Sequence, residues 1–403
     1  MKKSIFILLS WLLTASVAEA QWAVLQSGSN ADLYSIYFTD SVTGYAAGES
    51  GTIIKTTDGG DNWTVLPSGI SERLSCIYFT DATNGYAVSV EGNILKTVNA
   101  GNTWTFQSSG SLYSLSSIFF TDANTGYIAG DVNSIYKTSN AGGTWTKVLD
   151  TMGGYLSSLY FTDANTGYAV GETGVILKTS NAGINWVNLN SGTTTWFESV
   201  KFTNASTGYI FGRKASILKT TDAGATWQPL AAGIDSTYSL FSCSVTGAAT
   251  LYAAGNAGTI IKTTDGGNNW TIQPNIFSGT NLALFAIHFP APGIGYAAGG
   301  FGQILKTTNG GAGMDEVANH DLLSLTPNPA NDFVYVQLEK SLPENLAINI
   351  YDMFGRLVSS TNMNEATSSG LMQIDISELN NGVYLVCMTS GQINTVQKLI
   401  IQH

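Results

Sequence analysis

The stretch KTTDGGDNW, Lys55 to Trp63, recurs in modified form along most of the chain. The lysines that open successive copies are separated by 41, 41, 41, 41, 43 and 44 residues. They are Lys55, Lys96, Lys137, Lys178, Lys219, Lys262 and Lys306. Self-similarity at a period of about 40 residues, with several short strands in each unit, is typical of the blades of a β-propeller. The sequence therefore predicts one blade for each copy.

The chemistry of the repeated stretch is that of a turn. A side-chain oxygen of Asp58 can accept hydrogen bonds from nearby backbone N–H groups, and Gly60 can adopt a positive φ without steric cost. Trp63 then starts the next strand with a large apolar side chain. Three of the six complete copies carry Asn in place of Asp, which disfavours a metal-binding or catalytic role. The pattern resembles the Asp-box, or BNR, repeat found in propellers.

Within the first unit, Ser35 to Gly69, four short apolar runs are bounded by Gly, Asp, Asn or Ser and predict four strands. These are 35–39, 44–48, 51–57 and 62–66. A Gly-Tyr pair opens the second strand, and a Phe lies seven residues before its Tyr in most units. Because one blade cannot bury both of its faces, we expect these aromatic residues to pack between neighbouring blades.

The seventh copy, KTTNGGAGM from Lys306 to Met314, lacks the Trp and a fourth strand. The missing part matches QWAVLQSG, Gln21 to Gly28, whose Trp22 precedes Trp63 by 41 residues. We therefore predict that the N-terminal strand completes the last blade, which removes the free sheet edges. The predicted fold is all-β, a seven-bladed β-propeller of four-stranded blades closed by the N-terminal strand.

Residues 1–20 have the pattern of a secretory signal peptide, with Lys2 and Lys3, an apolar run, and small residues at Ala18 and Ala20. The run is too short for a membrane span, and no later segment reaches the necessary length of about 20 residues. Removal of this segment takes the net charge from −11 to −12. An acidic chain with three arginines is a poor partner for nucleic acid. The three cysteines are expected to be buried free thiols.

One face of the predicted propeller varies from blade to blade. It carries the loops between the second and third strands and the loops between blades. Aromatic, charged and amide side chains in such loops suit sugar or peptide binding, and loops on a rigid scaffold often carry function. The candidate ligand-binding residues are Arg73, Tyr113, Tyr155, Trp196, Glu198, Arg213 and Tyr238. The opposite face, with the Asp-box turns, is nearly constant and predicts scaffold.

Propellers with Asp-boxes include sialidases and other glycoside hydrolases. A sialidase resemblance implies three arginines around the substrate, whereas this propeller has only Arg73 and Arg213. An inverting hydrolase needs only two carboxyl groups about 6.5–9.5 Å apart. Candidate carboxylates are Glu49, Asp131, Glu172 and Glu198, with no sequence spacing that selects a pair. The scattered histidines disfavour a metal site or a Ser-His-Asp triad, and we expect no cofactor.

The repeat region, about residues 21–313, shares the pattern GYAxGxxGxIxKTxDGGxxW. This pattern resembles the photosystem II assembly factor-like propellers. The resemblance implies a scaffold that binds protein or other macromolecules. The basic patch that family members use on assembly partners is absent from this acidic propeller.

The period stops at the end of the propeller, and residues 314–321 are predicted to be a linker. Short alternating strands then predict a small Ig-like β-sandwich over 322–403. Pro327-Asn328-Pro329, Gly355-Arg356 and Gly382-Val383-Tyr384 closely resemble the type A sorting domain of type IX secretion. The resemblance implies that the type IX machinery recognises 322–403 and delivers the protein outside the cell or to its outer surface.

The sequence therefore predicts a secreted or surface-attached propeller that binds a glycan or protein through its variable face. Two alternatives remain open. One is a glycoside hydrolase that uses carboxylates of that face, and the other is a purely structural adhesin component.

Overall fold

The computed structural model of the chain describes residues 22–111, 113–150, 154–310, 323–338, 346–352, 357–363, 371–390 and 393–403. Strands dominate these ranges, with three short 3₁₀ turns at Glu49–Gly51, Glu172–Gly174 and Gly300–Gly302. No helix among these residues is long and apolar enough to cross a membrane. The predicted signal peptide and the predicted linker lie outside the described residues.

Seven four-stranded antiparallel sheets form the blades, numbered 1 to 7 in chain order. Blade 1 comprises Leu33–Phe38, Gly44–Gly48, Ile53–Thr56 and Thr64–Leu66; blade 2 comprises Leu74–Phe79, Gly85–Ser89, Asn93–Thr97 and Thr105–Ser108; blade 3 comprises Leu115–Phe120, Gly126–Gly130, Ile135–Thr138 and Thr146–Leu149; blade 4 comprises Leu156–Phe161, Gly167–Gly171, Ile176–Thr179 and Val187–Leu189.

The remaining blades follow the same order. Blade 5 comprises Phe197–Phe202, Gly208–Gly212, Ile217–Thr220 and Gln228–Leu230; blade 6 comprises Leu240–Val245, Leu251–Gly255, Ile260–Thr263 and Thr271–Ile272; blade 7 comprises Leu284–Ala291, Ile294–Gly299, Ile304–Thr307 and Ala23–Leu25. The first strand of each blade contacts the first strands of both neighbours, and the ring returns from blade 7 to blade 1. These seven first strands are therefore innermost and surround the central channel.

The N-terminal strand closes the ring as predicted. Ala23, Val24 and Leu25 pair antiparallel with Lys306, Leu305 and Ile304 as the fourth strand of blade 7. Trp22 is 2% exposed, and its ring meets Phe289 edge-on with centroids 5.9 Å apart. The first and last parts of the repeat region thus share one sheet.

Aromatic residues pack between neighbouring blades, which confirms the prediction for the recurring Tyr and Phe. Tyr45 of blade 1 stacks on Phe79 of blade 2 with centroids 4.0 Å apart. Phe79 in turn meets Trp104 edge-on at 6.2 Å. The recurring tyrosines are all fully buried or nearly so. Each Asp-box Trp therefore helps to bury the interface with the preceding blade.

Each Asp-box turn is held by the blade before it. Tyr45 Oη and Lys55 Nζ both donate to the carbonyl of Ala100 in the turn of blade 2, at 3.0 and 2.9 Å. Ala100 has a φ of 57°, a left-handed conformation that points this carbonyl at the pair. The same two donors recur at Ala141, Ala182, Ala223, Gly266 and Gly310. We call this contact the clasp.

Inside the turn, the predicted acceptor role of the acidic side chain is confirmed. Asp58 Oδ1 accepts the Asn62 backbone N–H at 2.9 Å and the Thr56 hydroxyl at 2.8 Å. Asn99 Oδ1 does the same for Thr103 and Thr97 in blade 2. Because Asp and Asn accept the same two hydrogen bonds, the Asp-box stabilises a turn.

The C-terminal strands form two sheets. The first contains Leu323–Thr326, Phe333–Leu338 and Leu371–Asp375; the second contains Leu357–Met363, Leu346–Asp352, Gly382–Ser390 and Ile393–Ile401. One core joins them, with Val334 and Ile374 from the first sheet packed among Ile350 and Val386 of the second. This is the expected β-sandwich. The three cysteines, Cys76, Cys243 and Cys387, are free thiols.

Candidate binding site at the channel mouth

Two sets of loops share one face of the propeller. In blade 1 the backbone N–H of Glu49, after the second strand, donates to the carbonyl of Asp32, before the first strand, at 2.9 Å. The equivalent donor and acceptor pairs are 90 and 73, 131 and 114, 172 and 155, 213 and 196, 256 and 239, and 300 and 283. We call this side the loop face and the opposite side, with the Asp-box turns, the box face.

The channel mouth on the loop face is bounded by the second residue of each innermost strand. These residues are Tyr34, Ser75, Ser116, Ser157, Glu198, Phe241 and Phe285. In every blade the pairing register slips at this residue, as between Leu33 and Ser35 in blade 1. The slip is a β-bulge, which turns a side chain out of the regular alternation.

On one side of the mouth, four predicted residues form a single cluster. The Arg213 guanidinium lies 4.1 Å above the Trp196 ring, and its Nε donates to Glu198 Oε1 at 2.9 Å. Tyr155 packs against Trp196 with centroids 5.8 Å apart, and Trp196 Nε1 donates to the Ser157 hydroxyl at 2.9 Å. Arg213 is 50% exposed, whereas Glu198 is 16% exposed. The cluster therefore presents a cation to solvent and keeps its counter-ion inside.

Burial raises the pKa of the Glu198 carboxyl, and the hydrogen bond and charge of Arg213 pull it back down. Burial also raises the pKa of the Tyr155 hydroxyl, against hydrogen bonds from Ser114 and Ser116. The charge of Arg73 acts on Tyr155 in the same direction as these hydrogen bonds.

The other side of the mouth holds an aromatic group. The Arg73 guanidinium lies 4.7 Å above the Tyr34 ring, and Tyr34 stacks on Phe285 at 4.6 Å. Phe285 also contacts Phe241 at 5.8 Å. Burial raises the pKa of the Tyr34 hydroxyl, with opposing effects from Arg73 and Glu49. Only Arg73 of this group belongs to the residues predicted from sequence.

Tyr113 and Tyr238 stand apart from both groups. The positions equivalent to Tyr155 and Trp196 are Ser114 and Ser239, so these two tyrosines lie one residue too early in the chain to face the mouth. Tyr113 is 51% exposed. Of the seven predicted residues, the structure thus brings together Tyr155, Trp196, Glu198 and Arg213 in one group of the mouth and places Arg73 in the other group. In the ranges that the structure describes, no three His, Cys, Asp or Glu side chains are grouped to hold a metal ion.

Two family models match the chain. The model described as "Photosynthesis system II assembly factor YCF48" matches residues 14–105, 66–194, 151–233 and 181–275. The model described as "Secretion system C-terminal sorting domain" matches residues 324–402. A search of curated proteins found no match.

Solved structures of low identity share the fold. YCF48 bound to a D1 peptide is 19% identical with a TM-score of 0.62, over 74% of this chain and all of that one. YCF48 from Cyanidioschyzon merolae is 18% identical with a TM-score of 0.62, over 72% and 99%. A GH74 enzyme from Niastella koreensis is 14% identical with a TM-score of 0.60, over 94% and 74%. Enzymes and non-enzymes are both among these neighbours.

The sorting domain marks proteins exported by type IX secretion, so this protein is secreted or held on the outer cell surface. The propeller supports a binding or scaffold role there.

Proposed function

The chain belongs to the family of the photosynthesis system II assembly factor YCF48, and we propose that its propeller binds a polypeptide at the channel mouth on the loop face, outside the cell. The observation that carries the proposal is the pair of arginines at the mouth. The guanidinium carbons of Arg73 and Arg213 lie over an aromatic ring, 4.7 and 4.1 Å from its centre. A stacked guanidinium is pre-organised, so it loses little freedom when it binds an acceptor.

Arg213 has N–H groups that can donate to a ligand. Its Nε is used by Glu198, and within the described residues its two Nη groups have no recorded hydrogen bond. Peptide carbonyl and carboxylate oxygens are suitable acceptors for such a planar fork. A YCF48 structure with a bound D1 peptide supports the same ligand class for this fold.

The geometry favours a peptide over a glycan. A sugar ring binds an aromatic side chain mainly by stacking on its open face. Arg213 covers one face of Trp196, and Tyr155 packs against the same ring. The indole N–H is already used by Ser157. Arg73 and Phe285 likewise contact Tyr34. These rings therefore support the arginines and offer little free stacking surface.

The test is a peptide array and a glycan array, both probed with the chain from Gln21 to His403. We expect peptide hits, with the affinity of the best peptide reduced at least about tenfold in Arg73→Gln/Arg213→Gln. Lys147→Gln is the matched control, since Lys147 lies on the outer strand of blade 3 and pairs with Asp150 at 2.9 Å. Glycan hits alone, or equal binding by the mouth variant, would overturn the proposal.

A second candidate is glycoside hydrolysis, and Glu198 is the reason to keep it. A carboxyl whose pKa is raised by burial has the character of a general acid, and the GH74 neighbour shares the fold. A screen of polysaccharides for reducing ends, with Glu198→Gln as the variant, tests it. If the parent chain hydrolyses a polysaccharide and Glu198→Gln abolishes that activity, glycoside hydrolysis would replace the binding proposal. If the arrays show no binding and the screen shows no hydrolysis, a structural adhesin role would remain.

We also propose that residues 322–403 bind the type IX machinery, after a linker at 314–321 and with the propeller at 21–313. A chain that ends before Gly382 loses the long strands Gly382–Ser390 and Ile393–Ile401 of the second sheet. It should accumulate inside the cell and disappear from the medium and the surface. Normal extracellular amounts of this truncated chain would refute the sorting role.

A further inference from the structure

Below the mouth, the innermost strands place two more layers of side chains around the channel. The middle layer has Ser35, Cys76, Ser117, Ser158, Ser199, Ser242 and Ala286. The floor layer, towards the box face, has Tyr37, Tyr78, Phe119, Tyr160, Lys201, Ser244 and His288. The strand residues between these layers are buried in the blade cores. The side chains around the channel are therefore mostly small in the middle layer and mostly large in the floor layer.

The middle layer is small and rich in hydroxyl groups. The hydroxyl oxygens of Ser117, Ser158 and Ser242 each accept a backbone N–H of the next blade, at 3.1, 3.3 and 3.2 Å. Because each oxygen is the acceptor in that bond, its own hydrogen remains available. No acceptor for these three hydrogens is recorded in the part of the chain that the structure describes. Three serines of the middle layer therefore have a hydroxyl hydrogen to donate.

The floor is paved by aromatic rings. Tyr37 stacks on His288 at 5.0 Å and contacts Tyr78 at 5.2 Å. Phe119 continues the ring with contacts to Tyr78 and Tyr160 at 5.8 and 5.4 Å. The tyrosine hydroxyls of the floor point sideways, as Tyr37 Oη shows by its bond to the Phe79 carbonyl at 3.0 Å. Aromatic rings therefore occupy most of the floor layer.

Lys201 brings a positive charge into this floor. Its Nζ lies 5.2 Å from the centre of the Tyr160 ring, and its charge acts on His288 and on the thiols of Cys76 and Cys243. No ion pair of Lys201 is recorded among the described residues. The mouth, middle and floor layers contain one carboxylate, Glu198, and Arg213 already pairs with it.

His288 adds a neutral donor to the floor. Its Nδ1 accepts the Phe38 backbone N–H at 3.1 Å, so the ring hydrogen lies on Nε2. Burial, aided by the charge of Lys201, lowers the pKa of His288 to about 4, so the ring is neutral near pH 7.

We propose that the space between mouth and floor binds an oxyanion, a carboxylate or a phosphate, with Lys201 as its charge partner and the serine hydroxyls as hydrogen-bond donors. A cation that has no ion pair among the described residues, with serine O–H donors in the layer above it, is the arrangement that such a group requires. This site is distinct from the polypeptide site at the mouth and does not depend on it.

The experiment is a titration of the chain from Gln21 to His403 with sodium acetate and with sodium phosphate at constant ionic strength, followed by thermal melting and calorimetry. The variant is Lys201→Tyr, which installs the residue found at the equivalent positions 37, 78 and 160. We expect both anions to raise the Tm of the parent chain, with affinity reduced at least about tenfold in Lys201→Tyr. Lys147→Gln should behave like the parent.

Lys201→Arg is the second variant, since it keeps the charge if the tyrosine variant folds poorly, and it should retain binding. A peptide with a free C-terminal carboxylate and its amidated form identify the source of the group. Tighter binding of the free acid than of acetate indicates a carboxylate that enters through the mouth, whereas binding of acetate or phosphate alone indicates a free ion. No anion-dependent Tm shift in the parent, or an equal shift in Lys201→Tyr, would overturn the proposal.

Discussion

On the box face, blade after blade offers the same tyrosine and lysine to the turn of its neighbour, whereas on the loop face the seven equivalent positions at the mouth carry Tyr, Ser, Glu and Phe. Both faces are built on the same seven blades. The difference is that box-face side chains donate to the next blade, whereas we propose that Arg73 and Arg213 of the loop face donate to a ligand. The repeat thus supplies the same contact between blades on one side, and the proposed binding surface lies where the sequence varies on the other.

The largest loss of stability is expected at the seam of the ring. Deletion of residues 21–27 removes the fourth strand of blade 7 and the buried Trp22. Loss of a buried Trp side chain alone costs about 3–5 kcal/mol, and the free sheet edge adds to that. We expect the Tm to fall by 10 °C or more, on the order given by about 2–4 °C per kcal/mol for a domain of this size. An unchanged melting curve would contradict closure by this strand.

The contact between the innermost strands of blades 7 and 1 should be sensitive to pH through His288, whose Nδ1 accepts the Phe38 backbone N–H. Its folded pKa of about 4 lies below the ordinary value of 6.5. The unfolded chain therefore takes up this proton first, so the contribution is complete above about pH 6.5 and is lost as pH falls through about 4. We expect a loss on the order of 2 kcal/mol. Chemical unfolding at several pH values between 7 and 4 should show this slope in the parent chain and a smaller slope in His288→Tyr, and equal slopes would contradict it.

Loss of one clasp should lower the free energy of unfolding less than deletion of the closing strand. Lys137→Met removes the ammonium that donates to the Ala182 carbonyl at 2.8 Å, while Tyr127 still donates to that carbonyl at 2.9 Å. Hydrogen bonds to charged groups contribute about 1.5–3 kcal/mol, and the remaining tyrosine reduces the loss. We expect about 1–2 kcal/mol in urea unfolding. Lys147→Met is the control on the same blade, and an equal effect there would show that the clasp has no special role.

The smallest effect on stability is expected from the carboxylates of the Asp boxes, which titrate in acid, whereas the Asn boxes do not. Hydrogen bonds from Asn62, Thr226 and Asn269 lower the pKa of Asp58, Asp222 and Asp265 to about 2, from 3.8. Their contribution is present above about pH 4 and is lost as pH falls towards 2. The triple Asp→Asn variant, which copies blades 2 to 4, should unfold in acid at a lower pH. An unchanged acid midpoint would show that these carboxylates do not contribute.

The fold could be predicted because the sequence contains seven copies of one repeat, and each copy predicts one blade. Period, strand number, aromatic packing and the closing strand all followed from KTTDGGDNW and its incomplete last copy. Strand bounds were less certain: the third strand of blade 1 was predicted from Gly51, but Glu49–Gly51 forms a 3₁₀ turn and the strand is Ile53–Thr56. The clasp was missed because a lysine and a carbonyl of the next blade are 45 residues apart in the chain.

The site was predicted only in part, and the β-bulge explains why. Sequence alternation cannot tell which way the second residue of each innermost strand points, so it does not indicate Tyr34, Phe241 and Phe285. Tyr113 and Tyr238 lie in loops that correspond to those of Tyr155 and Trp196, but the structurally equivalent residues are Ser114 and Ser239. A count from the glycine or its equivalent that ends each second strand would have found the right residues.

The most direct test of the division between the two faces is to measure peptide affinity and Tm together for one variant of each face. The mouth variant Arg73→Gln/Arg213→Gln should lose at least about tenfold in affinity for the best array peptide, with a Tm close to that of the parent. The clasp variant Lys137→Met should melt earlier and bind that peptide as the parent does. A mouth variant that binds normally, or a folded clasp variant that does not bind, would contradict the account.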